Sequence, residues 1–232
     1  MLTFTESNNV MSRTPLLEEG TYPAVCYMLA DVGDHLNEFQ GQGKWQRQIV
    51  IGWELPTETV EIDGEKKPRV FSCTYTASLH EKSKLRKDLV SWRGRQFTDE
   101  ELKGFDMTSI LNAPCLLNIV HTVSKKSGKT RATLSGIMRL PKGMPKPERT
   151  LDFVVYDMDG IDPIPASMPR WIAEMARESR TFAEKHPEEL AAANAAKESY
   201  EADDRFEAAQ PEVNSGVATF VPVDDDESGL PF

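Results

Sequence analysis

Lys44-Trp-Gln-Arg-Gln-Ile-Val-Ile-Gly-Trp-Glu-Leu55 decides how the chain is read. From Ile49 the residues alternate, with Ile49, Ile51, Trp53 and Leu55 on one side and Val50, Gly52 and Glu54 on the other. A period of two with β-branched and aromatic residues predicts a half-buried strand. The leading end differs: Lys44, Trp45 and Arg47 join two cations and an indole just after Gly41 and Gly43. A ring for stacking bases and charges for phosphates is what a single-stranded nucleic acid requires. A strand whose Trp45 only covers the edge of the core would read the same way.

Outward from this strand the chain is mostly β. A strand is expected from Gly20 to Leu29, with Pro23 at an edge or bulge, and another from Arg69 to Ala77 beyond an Asp63-Gly64 turn. Leu79, Leu85, Leu89 and Trp92 fall near helical spacing, and Gly94 stops that helix. Thr98-Asp-Glu-Glu101 is a capping-box pattern. Strands resume over Cys115–Val123 and Arg131–Leu140 around the basic turn Lys125-Lys-Ser-Gly-Lys129. Strand, strand, strand, helix, strand, strand is the order of the five-stranded OB-fold barrel, although a plain α+β domain would share it. Residues 151–167 suggest a last edge segment. Pro169 opens a helix with Trp171, Ile172, Met175 and Phe182 as its apolar side, interrupted at Pro187. The expectation is a mainly β chain: a flexible arm (1–19), an OB-fold-like barrel with an inserted helix (20–167), a helical C-terminal extension (168–209) and a disordered acidic tail (210–232).

The 232 residues carry a net charge of −10, unevenly distributed. Residues 1–40 hold one base against six acids, residues 41–150 hold 20 bases against 12 acids, and residues 151–232 hold six against 19. A basic middle with a net of +8 suits an anionic partner, and an acidic end with a net of −13 stays apart from it. Cys26, Cys73 and Cys115 sit in separate apolar runs, which fits reduced thiols in a cytoplasmic protein better than a disulfide framework or zinc site. No apolar run approaches membrane-spanning length, and the first residues lack the pattern of a secretory signal.

In an OB-fold, oligonucleotides lie across strands two and three between the first and last hairpin loops. Those parts hold Lys44, Trp45 and Arg47, then Arg69, Phe71 and Tyr75, then Lys125, Lys126, Lys129 and Arg131; Trp92, Arg93 and Arg95 form a further aromatic and cationic set. Each lysine alone reads as a solvated charge, so their convergence on one face carries the expectation. Phe71 and Tyr75 would serve a barrel interior equally well. Enzymatic patterns are missing: the four histidines make no ligand spacing, and Asp157, Asp159 and Asp162 lack the spacing of a calcium loop. With Asp152 they suggest a nuclease cluster only weakly. No catalysis, metal or cofactor is expected.

The C-terminus runs Asp224-Asp225-Asp226-Glu227-Ser228-Gly229-Leu230-Pro231-Phe232. An acidic run before an apolar tip ending in a carboxylate has the chemistry of a docking peptide. Here the sequence resembles single-stranded DNA-binding proteins, in particular those encoded by bacteriophages. The tail is similar to the acidic tip of the bacterial family at Asp224, Asp225, Asp226, Leu230, Pro231 and Phe232. It departs through the inserted Glu227-Ser228-Gly229 and through Leu230 where Ile is usual. The body, from Gly20-Thr-Tyr-Pro-Ala-Val through Trp53-Glu54-Leu55 to Leu140, is similar in layout to the phage proteins; residues 168–209 fall outside the resemblance. It implies a non-catalytic protein that coats single-stranded DNA during replication, recombination or repair, and recruits partner proteins through its tip, in the host cytoplasm if phage-encoded. A recombination annealing protein would share the groove. A protein-interaction adaptor built on an OB-like domain with a docking tail is the alternative from another class. A homo-oligomer is compatible with either.

Overall fold

Val50, Gly52 and Glu54 are as completely buried as Ile51, Trp53 and Leu55, so the strand expected to be half-buried is covered on both faces. This computed structural model describes residues 15–39, 42–62, 64–124, 128–160 and 162–191. Contacts divide the chain after Pro187, and the architecture below belongs to the first unit, Met1–Pro187.

Three long strands lead: β1 (Gly20–Phe39), β2 (Gln42–Ile62) and β3 (Glu65–Thr76). Helices α1 (Lys84–Arg93) and α2 (Asp99–Lys103) and a 3₁₀ turn (Met107–Ile110) follow. Then come β4 (Pro114–Val123), β5 (Thr130–Arg139), the short β6 (Val154–Tyr156) and helices α3 (Arg170–Arg177) and α4 (Arg180–Lys185). The sheet order is β3-β2-β1-β4-β5, antiparallel throughout, with β6 added parallel to β1. The sheet is not closed: among the described residues no ladder joins β3 to β5.

β1 turns the sheet. Its first part, Gly20–Val25, pairs with β4, while Val25–Phe39 pairs with β2. Register shifts between Cys26 and Met28 and between Asp31 and Gly33 mark where it bends, as bulges do by adding twist to one strand. Where β4 leaves, β6 takes its place against Met28–Ala30.

The inner face of the sheet closes over α1. Leu85, Leu89 and Trp92 recur at helical spacing and pack with Cys26, Ile51, Trp53, Leu55, Leu117 and Ile137. The Trp53 and Trp92 rings lie 5.9 Å apart. Ser83 accepts from the Arg86 amide to start α1, and Gly94, at φ 69°, ends it in the left-handed region that glycine tolerates best. The expected capping box is formed by Thr98 and Glu101.

The outer face of β1 and β2 carries a second core. Ile172, Ala173, Ala176 and Phe182 from α3 and α4 pack on Tyr27, Met28, Ala30, Val32 and Val50, with Val154, Tyr156 and Met158 alongside. Phe182, 2% exposed, contributes by itself about 2–3 kcal/mol of apolar burial. The approach is close at Gly52, where a Cβ would stand 2.6 Å from the Met28 methyl. Glu54 fixes the returning chain: its carboxylate accepts from the Thr150 amide (2.9 Å), the Thr150 hydroxyl (2.6 Å) and the Leu151 amide (2.9 Å). Trp171, expected on the apolar side of α3, is instead 48% exposed. The helical stretch also breaks earlier than Pro187, at Ser179, which caps α4. Among the described residues no helix is long and apolar enough to cross a membrane.

Candidate nucleic-acid interface

β3 stops pairing at Gln48, and from there β1 and β2 continue as a two-stranded arm. Asn37 stiffens it from one edge, donating to the Gln46 carbonyl (2.9 Å) and accepting from the Gln48 amide group (3.1 Å). Opposite one another in register stand Leu36 and Trp45, 50% and 45% exposed. Apolar side chains this open, paired across a two-stranded arm, leave a ring available for stacking. Lys44 is exposed beside it and makes no ion pair among the described residues.

The base of the arm is held by α4. Gly33, at φ 78°, lets the chain pass so near this helix that a Cβ would lie 2.5 Å from the Ser179 hydroxyl. The Thr181 hydroxyl accepts from the Asp34 amide (3.0 Å) and donates to the Asp34 carboxylate (3.2 Å). This docking brings the Arg180 guanidinium over the Trp45 ring, 4.8 Å from its centroid, while weak pairs to Asp34 (3.6 Å) and Glu184 (3.5 Å) steady it. Nothing local in the sequence marks Arg180, because α4 is too short and too remote in the chain to signal a contact with β2.

Arg47 is placed differently from the expectation of a phosphate contact. Its guanidinium clamps Asp31 through Nε (2.9 Å) and Nη2 (2.6 Å) and reaches Asp159 (2.8 Å). Hydrogen bonding to Asp31 raises its pKa further above the already high arginine value. Lys185 and Arg47 together hold the Asp159 carboxyl below its usual range. Carboxylate oxygens of Asp31, Asp157 and Asp159 come within 4.8 Å of one another, so this triad could hold a cation, but Arg47 and Lys185 already sit on it.

Several expected contacts belong to the core. Tyr75 is 3% exposed and its hydroxyl donates to Asp88 (2.9 Å). Trp92 is 5% exposed and its indole N–H donates to the Pro114 carbonyl (2.9 Å). Neither ring has a face to offer a base, because alternation and helical spacing that look like a stacking set serve a core equally. Phe71 is partly buried against the inner core. Arg69 donates to the Pro15 carbonyl. Arg93 lies against the edge-to-face pair of Phe97 and Phe105, 4.4 and 4.9 Å from their ring centroids, and pairs with Glu101, which Arg95 also engages (2.7 Å).

Lys129 and Arg131 are exposed and make no ion pair among the described residues. Register sets them beyond the Gly20 end of β1, whereas Trp45 lies near its Phe39 end. The cations therefore bracket the sheet rather than converge at one point. β3 is the edge strand beyond β2, and on its outer face Val70 and Thr74 are exposed and Ser72 and Thr76 half-buried. Lys125 and Lys126 fall outside the described residues, as do Asp224, Asp225, Asp226, Glu227, Leu230, Pro231 and Phe232 of the tail. No protein-family model and no curated protein matches this chain.

Proposed function

We propose that this protein binds single-stranded DNA without catalysis, on an OB-fold-like barrel, and recruits replication, recombination or repair proteins through its acidic C-terminal tip. The observation that carries the reading is Trp45: an exposed indole on a stiffened arm, flanked by Lys44 and overlaid by Arg180. Aromatic platforms among cations bind single strands with little sequence preference, because every base offers a π-face. The strand order, the helix between β3 and β4 and the cations at the first and last hairpins support the barrel, since OB-folds bind oligonucleotides between those loops. In this reading the strand runs from Trp45 at one end of β1 toward Lys129 and Arg131 beyond the other. The basic charge between residues 41 and 150 supplies the attraction.

The exposed Leu36 beside Trp45 favours a second reading, an adaptor whose arm grips an apolar protein surface. Titration of the full chain with a labelled single-stranded oligonucleotide and with the matching duplex, at low and high salt, separates the two. The proposal expects single-strand preference and an affinity that falls steeply with salt. Absence of binding at low salt refutes it.

A further inference from the structure

Where β4 leaves β1, the 3₁₀ turn and β6 border an open pocket of about 220 Å³. Leu29, Ile49, Met107 and Val155 give it apolar walls, and Asp31 and Asp157 bring carboxylates to the same space. This is smaller than the roughly 300–1,000 Å³ of sites that take drug-sized ligands; it suits one flat ring with polar edges. Ile49 belongs to the same strand as Arg47 and Trp45, so the cavity continues the line of the arm.

The two carboxylates differ in free capacity. Asp31 accepts from Arg47 and from the Gly33 amide (3.0 Å). Asp157 is exposed, and one of its oxygens accepts from the Asp159 amide (2.9 Å). Its other oxygen makes no hydrogen bond among the described residues, and Asp157 lines the same space as Leu29, Ile49, Met107 and Val155. A carboxylate there selects a ligand edge that donates. Arg47 and Lys185 keep the neighbouring acids largely neutralised, so an approaching phosphate backbone is not repelled by the full charge of the triad.

We propose that this cavity receives one base of the bound strand and discriminates by hydrogen bonding: Asp157 accepts from the exocyclic amine of cytosine, adenine or guanine. Thymine, whose edge carries carbonyl acceptors on both sides of its single N–H, is disfavoured. The inference rests on the single-strand reading above and adds to it a base preference that a stacking platform alone does not have.

The test is the affinity of the full chain for dC and dT oligonucleotides of equal length, compared between wild type and Asp157→Asn. Asn keeps the turn acceptor for the Asp159 amide and adds a donor for a thymine carbonyl. The ratio of dC to dT affinity should fall about fivefold or more in the variant, which cancels any difference the two homopolymers have on their own. Val155→Trp, at an exposed position on the cavity wall, should also abolish the preference by filling the space. If both oligonucleotides bind and the ratio is the same in all three proteins, the base pocket is refuted while the interface stands. If neither oligonucleotide binds wild type, both proposals fall together.

Discussion

The Arg180 guanidinium of α4 lies over the ring of Trp45 on β2, 4.8 Å from its centroid. Helix α4 is thereby part of the same surface as the β1–β2 arm. A cation on one face of an indole holds the ring still and leaves the other face for a base, with the charge near the adjoining phosphate. Arg180→Ala should weaken single-strand binding by about 0.5–1 kcal/mol and reduce the slope of log affinity against log salt by about 0.7. Salt titrations of both proteins check this; an unchanged slope would make Arg180 a packing residue only.

Glu54 is the joint between the sheet and its outer layer. Fully buried, it accepts from two amides and a hydroxyl of the returning chain. Glu54→Ala leaves those donors unpaired and should cost about 3 kcal/mol. Urea unfolding followed by circular dichroism should show the midpoint falling. A loss within about 0.5 kcal/mol, the range of an ordinary surface change, would mean water replaces the carboxylate.

Acid should act through Glu101. Its carboxyl is held at about 2 by Arg95, by the Thr98 amide and by Arg93. The folded value lies below the unfolded one of about 4.3, so this stabilisation is complete above that value and is lost as pH falls through about 2. Glu101→Gln should be less stable than wild type at pH 7, with the gap narrowing between pH 4 and pH 2. Unfolding curves at pH 7, 4 and 3 read it, and a gap constant across that range would contradict it.

The thiols should be slow. Burial pushes Cys26 up to about 12 and Cys115 well above its ordinary value. Cys73 is also raised by burial. A thiol-specific reagent at pH 8 should label native Cys26 and Cys115 only at the rate of unfolding. Mass spectrometry of the labelled protein would show the opposite, rapid labelling of either, if the inner core is loose.

The sequence made the sheet legible because alternation and turn chemistry are local. The strand centres, the helix after β3, its Gly94 stop and the Thr98 capping box follow from neighbours a few positions apart. But β1 runs on to Phe39, where the sequence predicts a strand only to Leu29 and a loop over residues 31–43. The outer layer is legible only in part: Ile172, Met175 and Phe182 lie on its packed side as expected. Its buried surface on α3 includes Ala173 and Ala176, whose small side chains give little periodic signal, while Trp171 points the reading to the wrong face. Glu54 did give a signal, a lone acid inside an apolar strand, which marks either solvent or a buried partner. Arg47 and Asp159 are far apart in the chain, so no spacing announces their pairing. Trp92 and Tyr75 show why aromatic count misleads: the same residues that could stack a base build the core.

Of the four tryptophans, Trp53 and Trp92 are buried, and only Trp45 and Trp171 are open. Fluorescence quenching by a single-stranded oligonucleotide, measured for wild type, Trp45→Phe and Trp171→Phe, therefore tests the platform most directly. The account predicts that Trp45→Phe loses most of the quenching and that Trp171→Phe keeps it. Full quenching in Trp45→Phe, or none in wild type at saturating oligonucleotide, would contradict it.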